Sequence, residues 1–380
     1  MGKNIVICCD GTANEFARDN TNVLKLYSTL RHDETQCTYY HPGVGTMEPP
    51  GALTPIRRRV TRTLGLAVGA YLANDIRDAY VFLMNAYQPE DKVFLFGFSR
   101  GAYTVRALAS LLKLYGLLRP GNDAMVPYAI RMMTAVSKAR EKDRNRYKQE
   151  IDEYFRLAAR FKETMARVCE PWFVGVWDTV SSVGWIENPL RLPFSANNPD
   201  IHVGRHAIAI DEKRAFFRTN RWISKAEAET KRREQGPRDL LQVWFPGVHC
   251  DVGGGYPEAE SGLSKLALEW MLDEAEPHGL AVDAERRRDV LGGRQPFVKP
   301  DPNGYLHESL TGWWKLSEYI PKRHRNEATG RDERRANQFR RRRIPGGSVM
   351  HWSVFERGGH YAESLNLPPD VIRLPKKETH

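Results

Sequence analysis

The chain has 380 residues, of which 41% are hydrophobic and 27% charged. This composition is typical of a folded globular protein, so it excludes wholesale disorder, and the length suffices for a large core without disulfides. The formal net charge is +10, but the segment from Lys322 to Arg343 alone holds ten basic and three acidic residues. The rest of the chain is close to neutral, and we therefore expect no nucleic-acid partner.

Cysteine spacing, the N-terminal sequence and hydropathy indicate the cellular compartment of the protein. The five cysteines form no CxxC pair, which argues against a disulfide scaffold. The N-terminus runs at once into a strand pattern, without the apolar stretch and cleavage site of a signal peptide. The longest apolar run, Leu64 to Ala73, is about half of the ~20 residues that span a bilayer. We expect a cytoplasmic protein with neither a signal peptide nor a transmembrane segment.

The first third of the chain alternates between strand and helix patterns. Apolar runs rich in Ile, Val and Phe predict buried strands, and longer amphipathic or apolar stretches predict helices. The predicted strands are Lys3 to Cys9, Gln36 to His41 and Lys92 to Phe96, and the predicted helices are Asn20 to His32, Gly65 to Tyr87 and Ala102 to Tyr115. This alternation predicts an α/β fold with a doubly wound, mainly parallel sheet.

The rest of the chain breaks that alternation before it resumes. Strand patterns return, Gly184 to Asn220 is rich in Pro and Asn and predicts loops around a site, and a late strand or packing segment is expected near Val349 to Phe355. The later predicted elements are strands at Pro171 to Trp177 and Leu240 to Phe245 and a helix at Gly262 to Ala275. We expect a single domain over 1–380, with an inserted helical cap at 121–167 and an irregular basic segment at 281–347.

A G-x-S-x-G sequence follows the third predicted strand. It reads Gly97-Phe98-Ser99-Arg100-Gly101, and an apolar helix pattern comes directly after it. In such a nucleophile elbow the serine occupies a strained turn between strand and helix, and the glycines are needed because side chains would collide there. The alternative is a glycine-rich turn with an incidental serine. The flanking strand and helix favour Ser99 as a nucleophile.

A serine nucleophile needs a base, and the base needs a carboxylate that orients it. Asp178 and His249 each follow a predicted strand, so both are expected at the sheet edge that carries Ser99. Asp178 could instead cap a helix, and His249 could be a structural histidine. Asp251 is an alternative acid or a brace for the glycine turn that follows it. The alternative bases His351 and His360 rank below His249, because a strong strand precedes His249.

Backbone N–H groups near the elbow are candidates for an oxyanion hole. Arg100 begins the helix after Ser99, and Gly11 and Thr12 follow the first strand, where this kind of fold places a second donor. Asp10 is expected to bond within its loop or behind the catalytic residues. A simple Asx turn at Asp10 is the alternative.

Two other classes of function remain open on these residues. Asp10, Asp178 and Asp251 at strand ends could bind a divalent metal for phosphate hydrolysis, although this leaves the Ser99 elbow unexplained. A non-catalytic module could use the basic run Arg340 to Arg343 to bind an anionic membrane or nucleic acid, although Phe339 is the only aromatic residue beside it, which gives little support for base stacking. That run is otherwise a solvated face, which is the interpretation we favour for a run of like charges.

Several motifs together resemble a known family. They read CCDGTAN, GFSRGAYTVRALA, VGVWDTVSSVG, RHAIAIDEKRAFF, VWFPGVHCDVGGGY and LHESLTGWWKLSEYIP, in order between residue 3 and about residue 321. In this combination the chain is similar to the uncharacterised α/β-hydrolase domain family that includes catalytic domains of bacterial type VI secretion phospholipase effectors.

The resemblance implies a function and a set of residues. It implies an α/β-hydrolase-like fold and a serine esterase or lipase that needs no cofactor and no metal. Ser99, Asp178 and His249 match the family's triad positions. The implied partner is an ester or lipid substrate, and export by a system that needs no signal peptide would be consistent with the family. An anionic membrane surface as a partner follows only from the basic run.

Overall fold

An eight-stranded sheet, parallel throughout, forms the centre of the molecule. The computed structural model describes residues 2–11, 20–43, 72–142, 148–180, 184–185, 188–189, 192–215, 217–231, 236–312, 315, 318–319, 322–325 and 332–377. The strands are β1 Asn4–Cys9, β2 Gln36–His41, β3 Lys92–Phe98, β4 Pro171–Trp177, β5 Val203–Ala209, β6 Asp239–Phe245, β7 Val349–Met350 and β8 Ile372–Arg373. Their spatial order is β2-β1-β3-β4-β5-β6-β7-β8.

Helices connect the strands and cover the sheet. They are α1 Asn22–Thr29, α2 over 72–86, α3 Arg100–Tyr115, α4 Val126–Lys142, α5 Lys148–Met165, α6 Lys225–Lys231, α7 His249–Gly253, α8 Gly262–Ala275, α9 Ala284–Arg288, α10 Ser353–Glu356 and α11 Tyr361–Ser364. Three antiparallel pairs of short strands complete the list: Leu117–Leu118 with Ala166–Arg167, Gly184–Trp185 with Asn188–Pro189, and Lys322–Arg325 with Asp332–Arg335. The part of the chain that the structure describes holds no helix long and apolar enough to cross a bilayer.

Alternate residues of β1 point into two separate cores. Ile5 and Ile7 join the core on the side of α2 and α3, whereas Val6 and Cys8 join the core on the side of α1 and α8. All four side chains are fully buried. Burial on both faces explains why β1 reads as a continuous apolar run, and it confirms the predicted doubly wound α/β fold.

The sequence prediction was wrong for the region between Gly184 and Asn220. It predicted loops, but Val203–Ala209 forms β5, which is buried along its whole length between β4 and β6. Two polar residues, Arg205 and His206, interrupt the apolar pattern. Arg205 is accommodated because it pairs with Asp239 and Glu274, each at 2.8 Å, and a buried charge with such partners can lie in a central strand.

The predicted insertion at 121–167 contains α4 and α5. It leaves and rejoins the body of the protein at adjacent positions, because Leu117–Leu118 pairs with Ala166–Arg167. Both helices contact α3, and Met133 and Ala158 are buried in the core on that side. The role of this insertion as a cap stays a prediction. The segment predicted as irregular, 281–347, contains α9 and the short pair Lys322–Arg325 with Asp332–Arg335.

The two glycines of the elbow lie where backbones touch. A Cβ atom on Gly101 would lie 2.0 Å from the carbonyl oxygen of Cys9, and one on Gly97 would lie 2.5 Å from that of Gly101. Each distance is far below van der Waals contact, and the atom that would have to move belongs to the backbone. The expectation that side chains would collide there is confirmed.

We expect Gly101→Ala to lower the free energy of unfolding by roughly 3 kcal/mol or more, because the methyl group forces α3 away from β1. Urea denaturation followed by circular dichroism measures the change. Gly358→Ala is the matched control, because the nearest atom to its Cβ is 3.5 Å away and its effect should stay within about 0.5 kcal/mol. Equal stability of the two variants would contradict the packing argument.

Candidate active site

The direction of strand addition reverses next to β1. The chain passes from β1 to β2 on one side and then returns to place β3 on the other. Ligands of doubly wound folds bind outside the carboxyl ends of the strands near such a point. The residues that follow β3, β4 and β6 therefore lie in the usual position for a functional site.

Ser99 occupies the turn between β3 and α3. Its backbone has φ 56° and ψ −116°, a conformation that L-residues rarely adopt, and its side chain is almost completely buried. Backbone strain of this kind costs about 1–3 kcal/mol and persists where the surrounding structure enforces it, often at functional sites. Here the close contacts of Gly97 and Gly101 hold the turn.

Asp178 directly follows β4 and is completely buried, with φ +37°. Thr179 and Val180, which follow it, are not helical, so Asp178 is not the cap of a helix at these residues. Its Oδ1 accepts a hydrogen bond from the backbone N–H of Ala209 at 3.0 Å, and its Oδ2 lies 2.5 Å from Nδ1 of His249. An ionised carboxylate is only an acceptor, so Nδ1 of His249 carries the proton in this pair.

His249 begins α7, just beyond the end of β6, and its ring is enclosed by aromatic side chains. Ring centroids of Phe98 and Phe217 lie 4.6 Å and 4.9 Å from that of His249. Nε2 is buried and has no hydrogen-bond partner within the described residues, so it does not hold the Ser99 hydroxyl in this conformation. A buried imidazole nitrogen without a partner is uncommon, and hydrogen bonds of catalytic groups often tighten only when substrate is bound.

Burial and charge act against each other at this pair. Burial raises the pKa of Asp178, but the Arg342 charge and the hydrogen bonds from His249 and Arg342 outweigh it, and the pKa lies well below its ordinary value. Burial lowers the pKa of His249, and the Asp178 carboxylate offsets this only in part. The pair is therefore a carboxylate and a neutral imidazole at neutral pH.

A second ion pair lies beside His249. Glu212 and Arg214 bond to each other at 2.8 Å, and Glu212 also accepts the backbone N–H of His249 at 3.3 Å. Burial raises the pKa of Glu212, but the hydrogen bond and charge of Arg214 outweigh this and lower it to about 2. Glu212 is thus a buried anion that fixes the backbone of His249, and the sequence offered no signal for it.

Two of the three predicted oxyanion-hole donors, Arg100 and Gly11, lie within the described residues. Arg100 is the first residue of α3, where backbone N–H groups favour negative charge. The N–H of Gly11 instead donates to Asp10 Oδ1 at 2.6 Å, and a Cβ on Gly11 would lie 3.3 Å from that of Ser99. Thr12 lies outside the described residues. Asp10 also accepts hydrogen bonds from Thr21 and Tyr40, so it serves to hold its own loop.

The alternative acid and bases are engaged elsewhere. Asp251 bonds not to His249 but to Nδ1 of His307, at 2.6 Å, and to the backbone N–H of Val248. His351 is buried against Phe245 and bonds to Ser353. The His360 side chain is 91% exposed. Of the three histidines considered from the sequence, only His249 meets Asp178.

The basic run differs from its expected solvated state at one residue. The Arg342 side chain is only 8% exposed and pairs with Asp178, whereas Arg340, Arg341 and Arg343 are exposed. A cation at Asp178 would have to displace this guanidinium, so the arrangement does not favour metal-dependent phosphate hydrolysis. In the described ranges, no three His, Cys, Asp or Glu side chains come together as metal ligands would.

Three comparisons relate the chain to known proteins. Residues 3–274 match the model of the type VI secretion system phospholipase effector Tle1-like catalytic domain. The uncharacterized protein YEL023C of Saccharomyces cerevisiae is 36% identical, in an alignment that covers 73% of this chain and 58% of the yeast protein. The chain thus spans less than two thirds of the length of this curated relative.

Two solved structures show weaker similarity. An uncharacterized protein from Pseudomonas aeruginosa has 20% identity and a TM-score of 0.40, covering 75% of this chain and 47% of its own. The Tle1 effector bound to the VgrG spike of the type 6 secretion system has 18% identity and a TM-score of 0.35, covering 69% of this chain and 52% of its own. Because the family model spans more than two thirds of its residues, this chain belongs to the Tle1-like family of phospholipase effector catalytic domains.

Proposed function

We propose that the protein is a serine hydrolase that cleaves carboxylic esters, with the acyl esters of lipids or phospholipids as its substrates. One observation carries this proposal. The buried imidazole of His249 donates from Nδ1 to Asp178 and keeps Nε2 without a partner among the described residues, at the same sheet edge as the strained Ser99 turn. Membership of a phospholipase family supports a lipid ester as the substrate class.

In the first half of the reaction Ser99 is acylated. Nε2 of His249 accepts the hydroxyl proton of Ser99 while Oγ forms a bond to the ester carbonyl carbon. The carbonyl oxygen becomes an oxyanion, which the backbone N–H of Arg100 would stabilise. The C–O bond to the alcohol then breaks, the alcohol oxygen takes the proton from His249, and an acyl-serine remains.

In the second half water removes the acyl group. His249 accepts a proton from water, whose oxygen attacks the acyl carbon, and the proton returns to Oγ of Ser99 as the carboxylic acid leaves. Asp178 stays ionised throughout and stabilises the imidazolium that forms twice in the cycle. These steps use only side chains and backbone of this chain together with water.

A fluorophosphonate probe tests the proposal. Its phosphorus is attacked by an activated serine and loses fluoride, so we expect a single covalent adduct on the peptide that contains Ser99, located by mass spectrometry. Ser110 on α3 is the internal control, because its buried hydroxyl already donates to the carbonyl oxygen of Arg106 at 2.8 Å and should stay unmodified.

A substrate panel completes this test. Short p-nitrophenyl esters and phosphatidylglycerol vesicles should both be hydrolysed, and EDTA should have no effect on either rate. Absence of an adduct on Ser99, combined with hydrolysis of phosphate monoesters that EDTA abolishes, would instead support the metal-dependent alternative.

A further inference from the structure

Arg342 uses its whole guanidinium at the candidate active site. Nη1 donates to Oδ1 of Asp178 at 2.5 Å and to the carbonyl oxygen of Ala209 at 3.0 Å, and Nη2 donates to Oδ2 of Asp178 at 3.0 Å. Nε and Nη2 also donate to the carbonyl oxygen of Phe217, at 3.1 Å and 2.5 Å. A guanidinium has five N–H donors, and these five bonds engage all of them.

The same contacts complete the coordination of the Asp178 carboxylate. Each oxygen accepts one bond from Arg342, and the second bond comes from the Ala209 N–H at Oδ1 and from His249 at Oδ2. A two-pronged arginine contact fixes the plane of a carboxylate, whereas a single bond leaves it free to rotate. The plane fixed here aims Oδ2 at Nδ1 of His249.

We propose that Arg342 is a positioning residue of the active site, which holds the Asp178 carboxylate in the orientation that engages His249. This inference rests on the proposed function. Arg342 touches Asp178 and two backbone carbonyls, and it acts on the reaction through Asp178 alone. A purely structural alternative exists, in which Arg342 only anchors the segment at 336–343 to the sheet.

Removal of the Arg342 charge should change the pH dependence of the reaction. The Asp178–His249 pair is active when it carries one negative charge, and either member can take up the inactivating proton. Loss of a neighbouring positive charge favours that proton on either residue, so the acid limb of kcat/KM must move to higher pH. A loss of anchoring would move this limb as well, because it removes the same charge, but its cost would multiply with the cost of losing Asp178, whereas the cost of lost positioning would not.

The other titratable groups around the pair do not obscure this readout. Burial, assisted by the Arg106 charge, lowers the pKa of His206 to about 3, and burial raises the pKa of Cys250 to about 12. Glu212, paired with Arg214, has its pKa lowered to about 2. All three therefore titrate well away from mildly acidic pH, whereas burial raises the pKa of Asp251, which bonds to His307 and not to the pair.

The experiment compares Arg342→Met, Arg342→Lys and the exposed neighbour Arg343→Met in the full chain. A misplaced catalytic group costs on the order of 10²-fold, and we expect this loss in kcat/KM for Arg342→Met, together with an acid limb at higher pH. Arg342→Lys keeps the charge and should keep the limb near its original position. Arg343→Met should match the unaltered protein in both respects.

A double-mutant cycle keeps the test informative if Arg342→Met folds poorly. Asp178→Asn removes the charge that Arg342 neutralises, so adding Arg342→Met to it should cost less than about threefold more in kcat/KM, because residues in contact are not additive. Removing both partners also avoids leaving one buried charge alone. If the loss of kcat/KM in the double variant equals the product of the two single losses, Arg342 has no positioning role.

The outcomes separate this inference from the proposed function. If the fluorophosphonate labels Ser99 but the losses of Arg342→Met and Asp178→Asn multiply in full, Arg342 is only an anchor and the inference fails alone. If Ser99 of the unaltered protein is not labelled, the proposed function fails and this inference fails with it. Losses that do not multiply in the double-mutant cycle, with Ser99 labelled, support both.

Discussion

Ser99→Ala should lower kcat for ester hydrolysis by about 10⁶-fold, the size of the loss when a serine hydrolase is deprived of its nucleophile. The reason is that Ser99 is the only group in the proposed mechanism that forms a bond to the substrate. The fold should survive, because alanine replaces a hydroxyl by hydrogen without adding volume. Initial rates on a p-nitrophenyl ester and a thermal unfolding curve measure the two effects.

Ser110→Ala is the matched control for this variant. It makes the same chemical change on the helix that begins after Ser99, at a buried serine whose hydroxyl bonds only within α3. Its kcat should stay within a small factor of the original value. Comparable activity in Ser99→Ala and Ser110→Ala would show that Ser99 is not the nucleophile.

His249→Ala should cause a loss of similar size, about 10⁶-fold in kcat, because His249 takes the proton from Ser99 in the proposed mechanism. The measurement should include the rate of fluorophosphonate labelling, which also depends on activation of Ser99 and should fall with kcat. Loss of the ring between Phe98 and Phe217 leaves a cavity that lowers stability, so a thermal unfolding curve must show that the variant is folded at the assay temperature.

Two other histidines serve as controls for His249. His360→Ala should retain full activity, because its side chain is 91% exposed. His351→Ala should reduce thermal stability, because the ring packs 4.3 Å from that of Phe245, but it should leave kcat of the folded enzyme nearly unchanged. A collapse of activity in either control with His249→Ala near normal would move the base to another residue.

Local patterns in the sequence predicted most of the sheet. The predicted ends lie within two residues of the observed ends for five strands, namely β1, β2, β3, β4 and β6. These strands could be predicted because strands that are buried on both faces have short, nearly continuous apolar sequences. β5 was missed because Arg205 and His206 lie in it, and their partners Glu274 and Gln242 are distant in sequence. A buried strand that contains polar residues can be predicted only when the partners of those residues are known.

The candidate site was likewise only partly predictable from the sequence. Ser99, Asp178 and His249 were singled out because each directly follows a strand pattern, and the structure brings Asp178 and His249 into contact. Their catalytic roles stay predictions. Arg342 could not be found this way, because four adjacent arginines look alike in sequence and only the fold decides which one turns inward. Glu212 was missed because only the fold brings its carboxylate to the backbone N–H of His249.

The bond between Arg342 and Asp178 joins residues 164 positions apart, and this affects when the site can form during synthesis. The ribosome adds about 5–20 residues per second, so Arg342 is synthesised several seconds or more after Asp178. During that interval an ionised carboxylate among apolar neighbours lacks its counter-charge. The nascent chain therefore cannot form the contact between Arg342 and Asp178 until it has been synthesised almost as far as the C-terminal strands β7 and β8.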